Sequence, residues 1–225
     1  MLLLAVACTS PSVIDTEDTE GRTLRADLQL GFPLAERALF EPPVGFDHDP
    51  EDHTGAEQLI CIAYDGRPFP ACYDGHEGTD YLLEGGFEAM DAGSATVLAA
   101  AEGEVIHVTD GNYDRCHGTL DDGNDCDGNP MKSNTVVIEH ADGWTTRYLH
   151  MMSGAMEVTV GQTVACGTPL GKVGSSGNSS TPHLHLELVD PESESVDPYA
   201  GEYSQPETFW LEQGDADGLP GGCAG

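Results

Sequence analysis

Three short arrangements in this 225-residue chain place metal-binding and proton-transferring side chains at useful spacings. The first is His183-Leu-His185-Leu-Glu187. Side chains two apart on a strand point the same way, so both imidazoles would share one face. Leu184, Leu186 and Leu188 would face the other way, into a core. Two neighbouring imidazoles are costly to bury unless one binds metal or both line a wet cleft. The second arrangement, His76-Glu-Gly-Thr-Asp80, leaves a loop and enters a strand, so its His and Asp can turn toward one point. The third, Arg147-Tyr-Leu-His150, ends a strand. Each is weak alone, and the specificity lies in the set. A hydrolytic zinc site needs three protein ligands and an open position for water. His76, Asp80 and one member of the His183/His185 pair supply His, Asp and His. Two imidazoles then remain for acid–base work or for binding an oxyanion.

The elements that must position these groups are short and β-prone. Strands are expected at 79–82, 96–100, 104–108, 135–140, 145–150, 157–160, 170–173 and 183–189. Glycine-bearing turns separate them at 91–93, 141–143, 160–162 and 176–178. This density predicts a mostly β fold, an antiparallel sandwich or open barrel. Residues 93–105 and 161–171 echo one another, each with a turn glycine before an apolar strand and a second glycine before the next. That suits a β fold made of two related halves. A short helix is expected over 26–40.

Composition narrows the function. Forty acidic residues against eight Lys and Arg give a formal charge of −32. Such a surface repels phosphate, which argues against nucleic acid and against electrostatic adhesion to anionic lipid. No apolar run approaches ~18 residues, so no membrane-spanning helix is expected. Residues 1–7 read MLLLAVA before Cys8, similar to a bacterial lipoprotein signal. The expectation is removal of 1–7, lipid on Cys8, and an exported protein of the bacterial cell envelope or periplasm, its only membrane contact being that anchor. Six cysteines remain, an even number that suits three disulfides in an exported chain. Sequence proximity pairs Cys61 with Cys72, Cys116 with Cys126, and Cys166 with Cys223. Without a C-x-x-C pair, a thiolate zinc site is not expected.

The domain layout follows. Residues 8–58 read as an acidic tether and lead-in, 59–200 as the domain carrying the site, and 201–225 as an acidic, Gly-rich tail that packs loosely and is pinned by Cys223. The insertion at 112–133 carries Asp121, Asp122, Asp125 and Asp127, but their spacing does not fit an EF-hand. It reads as a solvated, disulfide-clamped loop. His140 reads as structural, His107 as a strand residue, and His48, His53 and His117 as solvated.

From His76 to Val189, about half of the chain, the sequence resembles the lysostaphin/LytM-type family of zinc metallo-endopeptidases that cut peptidoglycan peptides. The resemblance runs through His76-Glu-Gly-Thr-Asp80, Val97-Leu-Ala-Ala-Ala-Glu-Gly-Glu-Val105 and Val136-Val-Ile-Glu-His-Ala-Asp-Gly143. It continues through Thr146-Arg-Tyr-Leu-His150, Val160-Gly-Gln-Thr-Val164 and Gly177-Asn-Ser-Ser-Thr-Pro-His-Leu-His185. It implies a duplicated hybrid β motif with an open groove, and a metallopeptidase domain at 59–200. It also implies one Zn²⁺ on His76, Asp80 and His185, with His150 and His183 as catalytic histidines. His183, beside ligand His185, is the favoured base, and Glu187 is a candidate acceptor for a ligand imidazole. The implied partner is a peptidoglycan peptide, and a monomer is expected. Two departures stand out: the insertion at 112–133 is long, and Ser180-Thr-Pro182 stands where many members have Thr-Gly-Pro. The alternative is a non-catalytic envelope module that grips peptidoglycan or activates an amidase, as members lacking ligands do. The complete ligand set argues against that. A lipoyl-like carrier lacks a suitably placed lysine, since Lys172 lies in a strand.

Overall fold

The computed structural model describes residues 28–53, 55–119 and 122–223. The leader at 1–7, Cys8 and Asp121 lie outside them. The architecture is mostly β, with antiparallel strands in an open sheet. The strands are β1 (Thr79–Leu82), β2 (Thr96–Leu98), β3 (Gly103–Thr109), β4 (His117–Thr119), β5 (Gly123–Asp125) and β6 (Thr135–Glu139). After these come β7 (Thr145–Leu149), β8 (Thr163–Val164), β9 (Pro169–Lys172), β10 (His183–Val189) and β11 (Ser195–Val196). The main sheet runs β1-β10-β7-β6-β3-β8, with β11 also on β10, and a short helix α1 (Gly86–Asp91) follows β1.

Strand β10 is interior, and its alternation is what the leucines dictate. Leu184, Leu186 and Leu188 are buried in the core with Tyr81, Tyr148 and Ile138, while the histidines occupy the opposite face. Residues 93–105 and 161–171 pair with each other. Strand β2 pairs with β9 and β3 with β8, so the first strand of each copy lies against the second strand of the other.

Segment 157–160 forms no strand. Glu157 donates its N–H to the Leu170 carbonyl at 2.9 Å, but Val160 is exposed at the edge of a turn and no ladder develops. Over 28–40, the described part of the helix expected at 26–40, there is one 3-10 turn, Arg37–Leu39. Gly31 and Pro33 interrupt helical bonding, and Leu28, Leu30, Phe32 and Leu34 alternate into the core. Leu30 bridges Trp210 and Leu34 bridges Val97. The tail is not loose. Phe209 and Trp210 are buried, each contributing on the order of 1.5–3 kcal/mol. Phe32 donates its N–H to the Gly221 carbonyl at 2.7 Å, so the two flanks clasp one another.

The bridges are Cys61–Cys72, Cys116–Cys126 and Cys166–Cys223. The insertion is more ordered than a solvated loop: it carries the β4–β5 hairpin. His140 is buried, donating from one ring nitrogen to the Glu102 carbonyl at 2.7 Å, with Thr146 Oγ1 at 2.8 Å from the other. His48 is not solvated, since its Nε2 lies 2.9 Å from Asp197 Oδ2 and both side chains are largely buried. His53 is also mostly shielded, 3.6 Å from Asp49. His117 is exposed. Among the described residues no helix is long and apolar enough to cross a membrane.

Candidate metal centre and groove

The sheet register brings the three sequence arrangements together. Asp80 on β1 lies directly opposite His185 on β10, and opposed residues share a face. Leu149 on β7 lies opposite His185 on the other side, which places His150 one residue beyond the strand end. His150 has φ 61°, a left-handed conformation rare outside glycine. It is held there by its N–H to Ser133 Oγ at 2.8 Å and by its ring.

His76, Asp80, His150, His183 and His185 are all buried. Asp80 Oδ1 lies 2.8 Å from His185 Nδ1, 3.3 Å from His76 Nε2 and 3.4 Å from His183 Nε2. His76 Nε2 and His185 Nδ1 are 3.2 Å apart. One donor atom from each of His76, Asp80 and His185 falls within a common 4.8 Å span.

The outer nitrogens fix which way each ring presents its lone pair. A carbonyl only accepts, so a ring nitrogen bonded to one must carry the proton. His76 donates Nδ1–H to the Gly45 carbonyl at 2.7 Å, His183 to Thr181 at 2.7 Å, and His150 to Ser176 at 2.6 Å. In the neutral ring each then keeps its lone pair on Nε2. His185 is reversed: Nε2 faces Glu187 Oε1 at 3.2 Å, and Nδ1 faces Asp80. Arg147 holds the other Glu187 oxygen at 3.0 Å.

Electrostatics follow from this crowding. Burial alone would raise the Asp80 carboxyl, but the surrounding imidazoles, His76 first, hold it well below the usual range. Burial would push His185 down, yet its bonds to Asp80 and Glu187 hold it up at about 9. His150 has no carboxylate partner in hydrogen-bond contact, and burial followed by the neighbouring imidazoles pushes it down to about 3. A buried set of convergent imidazole nitrogens and one carboxylate, with outer nitrogens already engaged, suits a tetrahedral divalent ion such as zinc, with the Gly45 carbonyl behind His76 and Glu187 behind His185. Ser179 Oγ, 3.2 Å from His183 Nδ1, gives a superficial serine-triad alignment with Asp80. It fails as one, because that Nδ1 already donates to Thr181 and the serine is buried.

Two further residues escaped the sequence reading. Tyr73 stacks on His76 with ring centroids 4.2 Å apart and donates its hydroxyl to Asp80 Oδ2 at 3.3 Å. Burial and then the Asp80 charge push its phenol up, so it stays a donor. No spacing rule marks it. Gly78, between His76 and Asp80, was legible as a glycine but not as a contact. A Cβ there would come 2.6 Å from His185 Nε2 and 2.7 Å from the Leu186 carbonyl. Gly78→Ala is therefore expected to displace the ring from Glu187 and weaken zinc binding about 10–100-fold. Competition with a chromogenic chelator measures it, and an unchanged affinity would refute the contact's importance.

The cluster opens into a groove of about 1140 Å³ that includes Asp80 and His183. One wall is proline-rich, with Pro42, Pro43, Pro68, Phe69 and Tyr73. The other is polar and uncharged, from Gly118, Thr119 and Asn124 of the inserted hairpin together with Asn178 and Ser180. Asn124 Nδ2 donates to Asn178 Oδ1 at 2.8 Å, tying the hairpin to the loop that leads into β10.

Comparison with known proteins gives consistent matches. The profile of peptidase family M23 matches residues 75–198. Cell division protein DipM of Caulobacter vibrioides is 34% identical over 107 residues, 45% of this chain and 14% of the relative. Peptidoglycan DD-endopeptidase ShyA of Vibrio cholerae is 41% identical over 114 residues, 51% of this chain and 20% of the relative. The chain thus spans at most a fifth of the length of these two curated relatives. A solved zinc-containing peptidase from Vibrio cholerae shares 25% identity with a TM-score of 0.47, covering 76% of this chain and 39% of the other.

Proposed function

Because the chain belongs to peptidase family M23, we propose that it is a zinc-dependent endopeptidase that hydrolyses peptide bonds in peptidoglycan stem or cross-bridge peptides. The observation that carries the reading is the convergence of the inner ring nitrogens of His76, His183 and His185 on one Asp80 oxygen, each ring anchored from behind. In this reading His76, Asp80 and His185 hold the metal. When bound, zinc supplies a Lewis acid and lowers the pKa of a water to about 7.

The chain's own groups do the rest. The groove holds an extended peptide between its proline-rich and polar walls. His183 accepts the proton of the attacking water at Nε2, since Nδ1–H is already given to Thr181. The resulting imidazolium returns that proton to the departing amine. His150 faces the same space, its ring centroid 4.6 Å from that of His183, and its Nε2 lone pair shares in accepting the proton. Glu187 keeps the His185 Nδ1 lone pair directed inward.

We also place the protein outside the cytoplasm, in the bacterial envelope, with a lipid on Cys8. Three disulfides support an oxidising compartment, and the DD-endopeptidase name of ShyA supports the substrate. The test is zinc stoichiometry with muropeptide release from purified peptidoglycan, followed by mass spectrometry. One zinc per chain is expected, with turnover lost on chelation and restored by zinc. Turnover that survives complete chelation would reject the reading. Zinc binding with no turnover would favour a non-catalytic peptidoglycan-gripping module.

A further inference from the structure

The segment that completes the cluster lies outside the residues matched by the family profile. Residues 40–48 run antiparallel along the free edge of β1. Phe40 bridges Leu83, and Val44 and Asp80 exchange both backbone bonds, at 3.0 and 2.8 Å. The Gly45 carbonyl fixes the His76 ring. Asp47 binds the same loop from two directions. Its N–H donates to the His76 carbonyl at 2.8 Å, and its Oδ2 accepts the Gly75 N–H at 3.0 Å. Its Oδ1 accepts from Ile62 at 3.1 Å and Asp49 at 2.9 Å, and His48 next to it meets Asp197. One carboxylate thus joins the strap, the segment at Cys61–Cys72 and the loop that presents His76.

We propose that Asp47 is a positioning residue for the metal centre and that residues 40–48 are an integral edge of that centre. This rests on the zinc reading above. The Gly45 carbonyl constrains His76 only while the strap keeps its register against residues 75–76. That register is held by backbone bonds and by the Asp47 carboxylate, whose two oxygens separately take the Gly75 amide and the pair from Ile62 and Asp49. Asparagine offers one acceptor oxygen, so Asp47→Asn must release one side of the junction whichever way the amide turns.

The test is zinc affinity of the full chain, measured by competition with a chromogenic chelator, beside melting of the metal-free protein. Asp47→Asn is expected to weaken zinc binding about 10–100-fold. The control is Asp190→Ala, which removes the oxygen that accepts from the Glu192 and Glu194 amides at 3.0 and 2.9 Å, in the turn after β10. It should keep zinc affinity within about twofold of wild type, whatever it does to melting. Asp47→Glu retains both oxygens and should fall between Asp47→Asn and wild type, and it stands in if the asparagine variant does not fold. A folded Asp47→Asn, or in its place Asp47→Glu, binding zinc as tightly as wild type overturns the inference. So does an equal loss of affinity in Asp190→Ala. A wild-type chain that binds no zinc overturns the proposed function and this inference together. Wild-type binding with unaffected Asp47 variants overturns this inference alone.

Discussion

Asp80→Asn is expected to abolish zinc retention at neutral pH and to reduce peptidoglycan turnover to that of the chelated wild type. The substitution keeps the shape and removes the one negative charge on which His76, His183 and His185 converge. A divalent ion would then enter a buried site on neutral ligands alone, and the cost of removing an ion from water would go largely uncompensated. Zinc content after gel filtration, product release by mass spectrometry, and circular dichroism for folding make the measurement. A folded variant that keeps stoichiometric zinc and a tenth or more of wild-type turnover would remove Asp80 from the ligand set.

His183→Ala is expected to give the opposite split: zinc retained, kcat lowered. No ligand is lost in the proposed set, so zinc affinity should stay near wild type. What disappears is the proton acceptor at the groove, worth about 10²–10⁴-fold in rate, or about 3–5 kcal/mol of barrier. Added imidazole should restore part of the activity, because the alanine leaves a ring-sized space next to Thr181 and Ser179. His150→Ala should show the same retention of zinc with a rate loss in the same range. Loss of zinc in His183→Ala with retention in His185→Ala would exchange the roles of the two strand histidines.

Much of the site was legible because it rests on periodicities. The two-residue repeat of β10 separates leucines from histidines without any tertiary information, and the bounds of β10 and β1 follow the sequence reading. The insertion itself was legible too, from its length and cysteines, and its Gly118, Thr119 and Asn124 line the groove. The strap was not. Gly45 contributes a backbone carbonyl, which leaves no mark in residue type, and Asp47 looks like any acidic loop residue among forty. The acidity of residues 8–58 suggested solvation, whereas the alternation of Leu28, Leu30, Phe32 and Leu34 buries its first described part. Trp210 gave a similar signal within a Gly-rich tail, and composition outweighed it. Both errors have one cause: an average over a window hides a few large apolar residues whose partners lie almost the whole chain away.

That distance has a temporal consequence. Leu30 takes a backbone bond from Leu211 and gives one to Phe209, Arg37 donates to the Leu219 carbonyl, and Cys223 closes on Cys166. During synthesis the stretch that begins near residue 28 must wait, partly unpaired, until residues 209–223 have emerged. In the proposed reading, where the neighbouring strap helps hold the metal centre, a nascent chain would stay catalytically incomplete until that late arrival.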